Sequence, residues 1–241
     1  MSVQLETAML MAAGLGKRMR PLTATRPKPL VKVAGQALID HALDRIEAAG
    51  IRRTVVNVHY LADTVEAHLR ARAGRTGSDY IISDERALLR ETGGGLIKAA
   101  PLLGDRPFLC ANSDNIWIDG PRNSIALLAD RWDDSRMDAL LLLVPHARAN
   151  CHGGPGDFHM DADGLISRRR PSRIAPFVFT GVQILSPRLL IDPPGDIFST
   201  NILWNRAIAA GRAYGLSHPG LWFDVGTPDA IPAAEAMIAG G

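Results

Sequence analysis

Between residues 7 and 145, short apolar runs alternate with stretches of helical periodicity, and few folds accommodate that alternation. "TAMLMA" (7–12), "TVVNVH" (54–59), "DYIIS" (79–83), "PFLCAN" (107–112) and "DALLLLVP" (138–145) read as strands. A helix opens near Ala37, carries Ile39, Ala42, Leu43 and Ile46 at helical spacing and stops at Gly50; "ADTVEAHLRARA" reads as a second. A glycine-led helix over about 94–103 and another over about 124–132 complete the series. Strands that are apolar throughout, and not only at alternate positions, need cover on both faces. The pattern predicts a doubly wound α/β fold with a mostly parallel central sheet between two layers of helices. Beyond Pro145, short strands and turns such as "GGPGDFHMDADGL" and "PFVFTGVQIL" predict a smaller α+β lobe. No repeat, low-complexity tract or linker divides the chain, so residues 1–241 are expected to form one domain with lobes at about 1–145 and 146–241.

Composition narrows the function more than the fold. A net charge of +2 is too small for a nucleic-acid binder, so any affinity for anions must be local. Cys110 and Cys151, the two cysteines, stand far apart without metal or redox spacing, which fits a reducing compartment. The start of the chain has no basic signal region and no run is long enough to span a bilayer, so a cytoplasmic, unanchored protein is expected.

The local anion site is expected in "MAAGLGKRMRPLTATRPKPL" (11–30), which follows the first strand. Ligands of open parallel α/β sheets bind beyond the carboxyl ends of the strands, and this loop is the usual phosphate cradle. Gly14 and Gly16 let backbone N–H groups approach an anion, while Lys17, Arg18, Arg20, Arg26 and Lys28 supply charge with no carboxylate to cancel it. Pro21, Pro27 and Pro29 forbid a helix and stiffen the loop before ligand arrives. A dinucleotide fingerprint lacks its third glycine here, which disfavours a nicotinamide-dependent oxidoreductase, and the Gly-Lys-Ser/Thr of a Walker loop is also missing. A lone Gly-x-Gly turn with solvated bases is the plainer alternative for the first part of the segment.

Two acids occupy ligand-facing positions. Asp114 in "ANSDN" follows an apolar strand at the carboxyl edge of the sheet, and Asp224 in "FDVGTP" has equally apolar neighbours. Converging carboxylates repel unless a divalent cation lies between them, and their hard oxygens suit Mg²⁺; singly, each could be a helix cap or turn residue.

The segment "AAGLGKRMRPLTATRPKPLVKVAGQALIDHAL", with "ETGGGL", "ANSDN", "GDF", "FTGV" and "FDVGTP" after it in order, resembles the signature of sugar-1-phosphate nucleotidyltransferases over nearly the whole chain. The resemblance implies a Rossmann-like α/β core, Mg²⁺ dependence, with Mn²⁺ as a substitute, and transfer of a nucleotidyl group from an NTP to a sugar 1-phosphate with release of pyrophosphate. It implies that the backbone of Leu15–Lys17 and Arg18 holds the triphosphate, that Lys28 bridges the reacting phosphates, and that Asp114 and Asp224 bind metal. It places Thr92, Gly93 and Gly94 against the base, with Ala12, Ala13 and Glu85 as weaker candidates there, Gly14 and Gly16 in the cradle, and Asn112 beside the ribose. Asn150, Gly156, Asp157, Thr180 and Gly181 match positions lining the sugar pocket, and Arg170 the acceptor phosphate. Histidines 59, 146, 152 and 218 show no ligand spacing and receive no role; Trp204 and Trp222 read as core or pocket walls.

One departure bears on specificity. Many relatives carry Glu-Lys-Pro where this chain has Arg169-Arg170-Pro171. An arginine fork suits a planar carboxylate, so Arg168–Arg170, together with the resemblance of "ETGGGL" to the base-side motif of one branch of the family, direct the expectation to UTP and N-acetylmuramate 1-phosphate, whose lactyl group carries one. The same run could instead be a solvated strand edge. Glucose-, mannose- or heptose-type acceptors with dTTP, GTP or CTP are the alternative, as is a nucleotide-sensing relative without catalysis. No nucleic-acid or membrane partner is expected, and the oligomeric state is left between monomer and small homo-oligomer.

Overall fold

The computed structural model describes residues 2–240. The first half runs through β1 (Thr7–Met11), a short hairpin of β2 (Lys32–Val33) and β3 (Gln36–Ala37), α1 (Leu38–Ala48), β4 (Arg53–Val58), α2 (Ala62–Thr76), β5 (Asp79–Asp84), α3 (Glu91–Leu103), β6 (Phe108–Asn112), β7 (Asn115–Ile118), α4 (Ser124–Arg131) and β8 (Ala139–Pro145). The second half holds β9 (Ala149–Asn150), β10 (Phe158–Met160), β11 (Ile166–Arg168), β12 (Phe177–Leu185), α5 (Asn201–Ala209), β13 (Ala213–Ser217), β14 (Leu221–Asp224) and α6 (Ala230–Ala239). No helix among the described residues is long and apolar enough to cross a membrane.

Strands from both halves share one sheet, in the order β13, β8, β12, β6, β1, β4, β5, with the β10–β11 hairpin beside the start of β12. β6, β1, β4 and β5 are parallel neighbours, as the alternation with helices predicts. β12 runs antiparallel to both β6 and β8, because the chain reaches it through short strands without a crossover helix.

The apolar strands explain themselves once the two faces are separated. Leu10, Val56, Leu109, Leu140 and Leu142 pack with Ile39, Leu43, Val65 and Leu69 of α1 and α2 on one face. Met9, Val55, Phe108, Leu141 and Leu143 point the other way, onto Leu96 of α3 and Leu203 of α5. Consecutive residues serve opposite layers, so each position must be apolar.

A third apolar cluster fixes the loop that follows β1. Met19, Val31 and Val33 pack with Ile116 of β7, Phe223 of β14 and Ala234 of α6. The layer beneath them is a three-stranded sheet, β7-β14-β9, that the sequence pattern does not announce. α3 also differs from expectation, opening at Glu91 with three glycines in its first turns. Each glycine costs a helix about 1 kcal/mol against alanine. Tertiary packing requires them: a side chain at Gly93 would run into the Phe198 ring, and one at Gly94 into the Asp196 carbonyl.

Candidate active site

A cavity of about 270 Å³ opens at the carboxyl ends of β1, β4 and β6, walled by the start of the loop at Ala12–Gly14, by Lys28 and Pro29, by Glu85, Leu89, Glu91 and Thr92, and by Asn112–Asp114. The loop bends at Gly16, whose φ of +60° starts a 3-10 turn over Lys17–Met19. Thr23 Oγ1 donates to the Gly16 carbonyl at 2.8 Å, and a Cβ at Gly16 would lie 3.0 Å from both Thr23 and Lys28 side chains. Glycine is needed for both the conformation and the space. Buried Met19 anchors the turn, and this leaves Lys17 and Arg18 exposed.

Lys28, in a second 3-10 turn, is 8% exposed and donates from Nζ to Asp114 Oδ2 at 2.7 Å. Asp224 reaches the same region through pairing of β14 with β7, which sets it opposite Asn115, next in sequence to Asp114. His152 Nδ1 lies 3.1 Å from Asp224 Oδ2. Across Gly226, Asp224 Oδ1 and Arg18 Nη1 lie 3.0 and 3.1 Å from where a Cβ would stand, so this glycine leaves room for both groups. The hard oxygens of these two carboxylates suit a divalent ion, and the described residues hold no cluster of three or more His, Cys, Asp or Glu that would bind one without further ligands. The rest of the coordination shell would come from phosphate oxygens and water.

The residues expected on the base side divide. Gly93 and Gly94 are buried away from the cavity, and both of their N–H groups donate to the Phe198 carbonyl, at 2.8 and 3.1 Å. Thr92 does line the cavity, while its Oγ1 accepts from the Thr200 N–H at 2.9 Å. The Ala12 N–H is already spent on Asn57 Oδ1 at 2.7 Å. Glu85, 1% exposed, lies at the cavity floor, and Ala13 and Asn112 form wall.

The sugar-side residues divide similarly. Thr180 is fully buried and donates to the Leu142 carbonyl at 2.8 Å, so its side chain belongs to the sheet and cannot line a pocket. Gly181, at φ +87°, lies under the Asn112 and Asn115 amides, which occupy the space of a side chain. Gly156 is pressed against the Ala175 backbone. Asp157 Oδ2 accepts the Phe179 N–H at 2.8 Å, and Asn150 Nδ2 donates to the Trp222 carbonyl at 2.9 Å.

The expected arginine fork is dispersed. Arg168 stacks over Phe158 and Trp204, 4.9 and 5.2 Å from their ring centres, and donates to Asn205 Oδ1 at 2.9 Å. Arg169 donates to the carbonyls of Gly156 and Arg173 at 3.1 and 3.0 Å, tying its own loop together. Arg170 alone of the three is exposed.

Comparison with known proteins decides the family. The nucleotidyl transferase family profile matches residues 7–154. The N-acetylmuramate α-1-phosphate uridylyltransferase of Caulobacter vibrioides is 48% identical over 240 residues, covering 99% of each chain. The chain belongs to the sugar-1-phosphate nucleotidyltransferase family. A protein of the same description from Neisseria meningitidis serogroup B is 34% identical, covering 95% of this chain and 97% of its own. Among solved structures, the inositol-1-phosphate CTP transferase from T. maritima superposes with a TM-score of 0.79 at 15% identity, over 99% of this chain and 97% of that one, a likeness of fold.

Sugar-1-phosphate nucleotidyltransferases generally use a divalent metal, and this chain presents a glycine-bent cationic loop, a lysine against a carboxylate, and a second carboxylate across a strand pair. Two polar residues of this site escaped the sequence reading. Asn57 left a signal, as a lone amide in an apolar strand. His152 left none, since the partner that orients it lies 72 residues away.

Proposed function

We propose that the chain transfers a uridylyl group from UTP to N-acetylmuramate 1-phosphate with Mg²⁺, forming UDP-N-acetylmuramate and pyrophosphate in a cell-wall recycling route. The observation that carries the substrates is the 48% identity, across 99% of both chains, with an enzyme of that description. The nucleotide would lie in the cavity of the 1–145 lobe, with the acceptor held by the 146–241 lobe.

An acceptor phosphate oxygen attacks the α-phosphorus, a new P–O bond forms, and the bond to the β-phosphate oxygen breaks to release pyrophosphate. The attacking phosphate is already deprotonated at neutral pH, so no general base is required and catalysis rests on positioning and charge. Mg²⁺ held by Asp114 and Asp224 would supply Lewis acidity at the triphosphate. Arg18 and the Lys17–Met19 turn would hold the β- and γ-phosphates. Lys28 Nζ would exchange part of its contact with Asp114 for the oxygens of the reacting phosphates, where negative charge grows. His152 restrains one oxygen of Asp224, and the other oxygen would be the one to serve the metal. Of the three arginines proposed for the lactyl carboxylate, Arg170 is the one without a structural duty.

The test is pyrophosphate release from UTP with N-acetylmuramate 1-phosphate against N-acetylglucosamine 1-phosphate, which lacks only the lactyl group. A marked preference for the first supports the reading. Equal turnover, or preference for another base or sugar, would overturn the substrate assignment.

A further inference from the structure

At the floor of the nucleotide cavity lies a polar side chain with no part in the chemistry above. Asn57, near the carboxyl end of β4, is 2% exposed and bridges two walls of the cavity. Its Oδ1 accepts the Ala12 N–H at 2.7 Å, and its Nδ2 donates to Glu85 Oε1 at 2.8 Å. A backbone N–H can only donate, so the amide oxygen must face Ala12 and the amide nitrogen must face Glu85. The other Glu85 oxygen accepts the Arg90 N–H at 3.1 Å. With a donor already on each oxygen, the carboxyl group offers its remaining lone pairs to the cavity as acceptors. Gly95 makes room for this arrangement: a Cβ there would lie 2.9 Å from Glu85 Oε1 and 3.0 Å from Asn57 Nδ2.

We propose that Asn57 is a positioning residue for base selection: it ties Glu85 to the first residue of the phosphate loop, so that the cavity favours a pyrimidine carrying a ring N–H. The inference rests on reading this cavity as the NTP site. Uracil and thymine present N3–H between two carbonyls. Cytosine presents a bare N3 at the same position, which would meet an acceptor with an acceptor and leave a buried lone pair unpaired. Because Asn57 also holds Ala12, the depth of the base relative to the phosphates is set by the same amide. A change at this residue should therefore alter the discrimination between bases and not merely affinity.

Binding of UTP and CTP is measured by calorimetry with Mg²⁺ and no acceptor, for the wild type, Asn57→Ala and Gly95→Ala. The alanine methyl at position 95 displaces the far end of a flexible side chain and not backbone, so Gly95→Ala should fold with a melting temperature within about 2 °C of wild type. Asn57→Ala strands two buried groups and is read beside it. The wild type should prefer UTP, and both variants should narrow that preference about tenfold, through weaker UTP binding. A wild type without that preference, or a folded Gly95→Ala that loses UTP and CTP affinity by the same factor or keeps the full preference, overturns the inference. Selective UTP binding that both variants narrow, without pyrophosphate release from any sugar phosphate, would instead refute the transfer reading and leave the role of Asn57 supported.

Discussion

Replacing Lys28 by Met should separate catalysis from stability. The lysine stem packs against Gly16, where a glycine Cβ would stand 3.0 Å from Lys28 Cβ, and methionine keeps that stem. What is lost is an ammonium whose side chain is 10% exposed, 2.7 Å from an Asp114 carboxylate that is 34% exposed. Removing the cation relieves the desolvation of a buried charge, while the partner it leaves can still reach water, so the net change in stability should stay within about 1 kcal/mol. For a chain of this size that is a shift of about 2–4 °C. The rate tells a different story. A preorganised cation beside the reacting phosphates acts on charge that develops in the transition state, and loss of one such donor costs about 3–4 kcal/mol, or about 10²–10³ in kcat. Stopped assays of pyrophosphate release, with KM for the nucleotide, and a thermal melt of the same preparation give both numbers. A melting temperature that falls by 10 °C or more, roughly three times the expected shift, or a kcat that holds while KM rises, would show that Lys28 is structural or binds ground state and transition state alike.

The other predictions follow from the same geometry. Asp114→Asn and Asp224→Asn should each remove most of the activity and weaken Mg²⁺ binding while the fold persists; full turnover in EDTA would refute the metal role of both. Arg18→Ala should lower kcat by more than it raises KM, because its exposed guanidinium can close on the triphosphate only when substrate is present; an effect confined to KM would count against this. Arg72, 5% exposed, donates to Asp40, Asp44 and Glu47 at 3.1, 2.5 and 2.9 Å and clamps α1 to α2. Burial pushes the Asp40 and Glu47 carboxyls up, but hydrogen bonds from His68 and Arg72 at Asp40, and from Arg72 and Tyr80 at Glu47, hold both below their ordinary values. Acids held low in the folded state stabilise it fully above their unfolded values near 4, and that contribution fades as pH falls through the folded values. Arg72→Ala should therefore cost about 3–5 kcal/mol in urea denaturation at neutral pH and clearly less near pH 3, whereas a pH-independent deficit would contradict the ion-pair argument.

Sequence alone determined the layers of this protein, because a strand buried on both faces has to be apolar at every position. Met9 and Leu10, or Val55 and Val56, are adjacent in the chain and serve opposite layers, so the parallel sheet could be read before any contact was known. The irregular, basic form of the loop after β1 was equally legible, since glycine conformation, proline stiffness and the sign of charge are properties of the residues themselves. What local chemistry could not decide was which way a side chain faces when competing partners arrive from distant segments. Thr180 turned into the sheet toward Leu142, and Gly93 and Gly94 turned toward Phe198. Arg168 found the rings of Phe158 and Trp204 and the amide of Asn205, and Arg169 found carbonyls in its own loop, so a run that reads as one basic feature was divided among different duties. The antiparallel entry of β12 between β6 and β8, and the seating of His152 on Asp224, belong to the same class. Each depends on residues tens of positions apart competing for the same partners, and only the folded chain settles that competition.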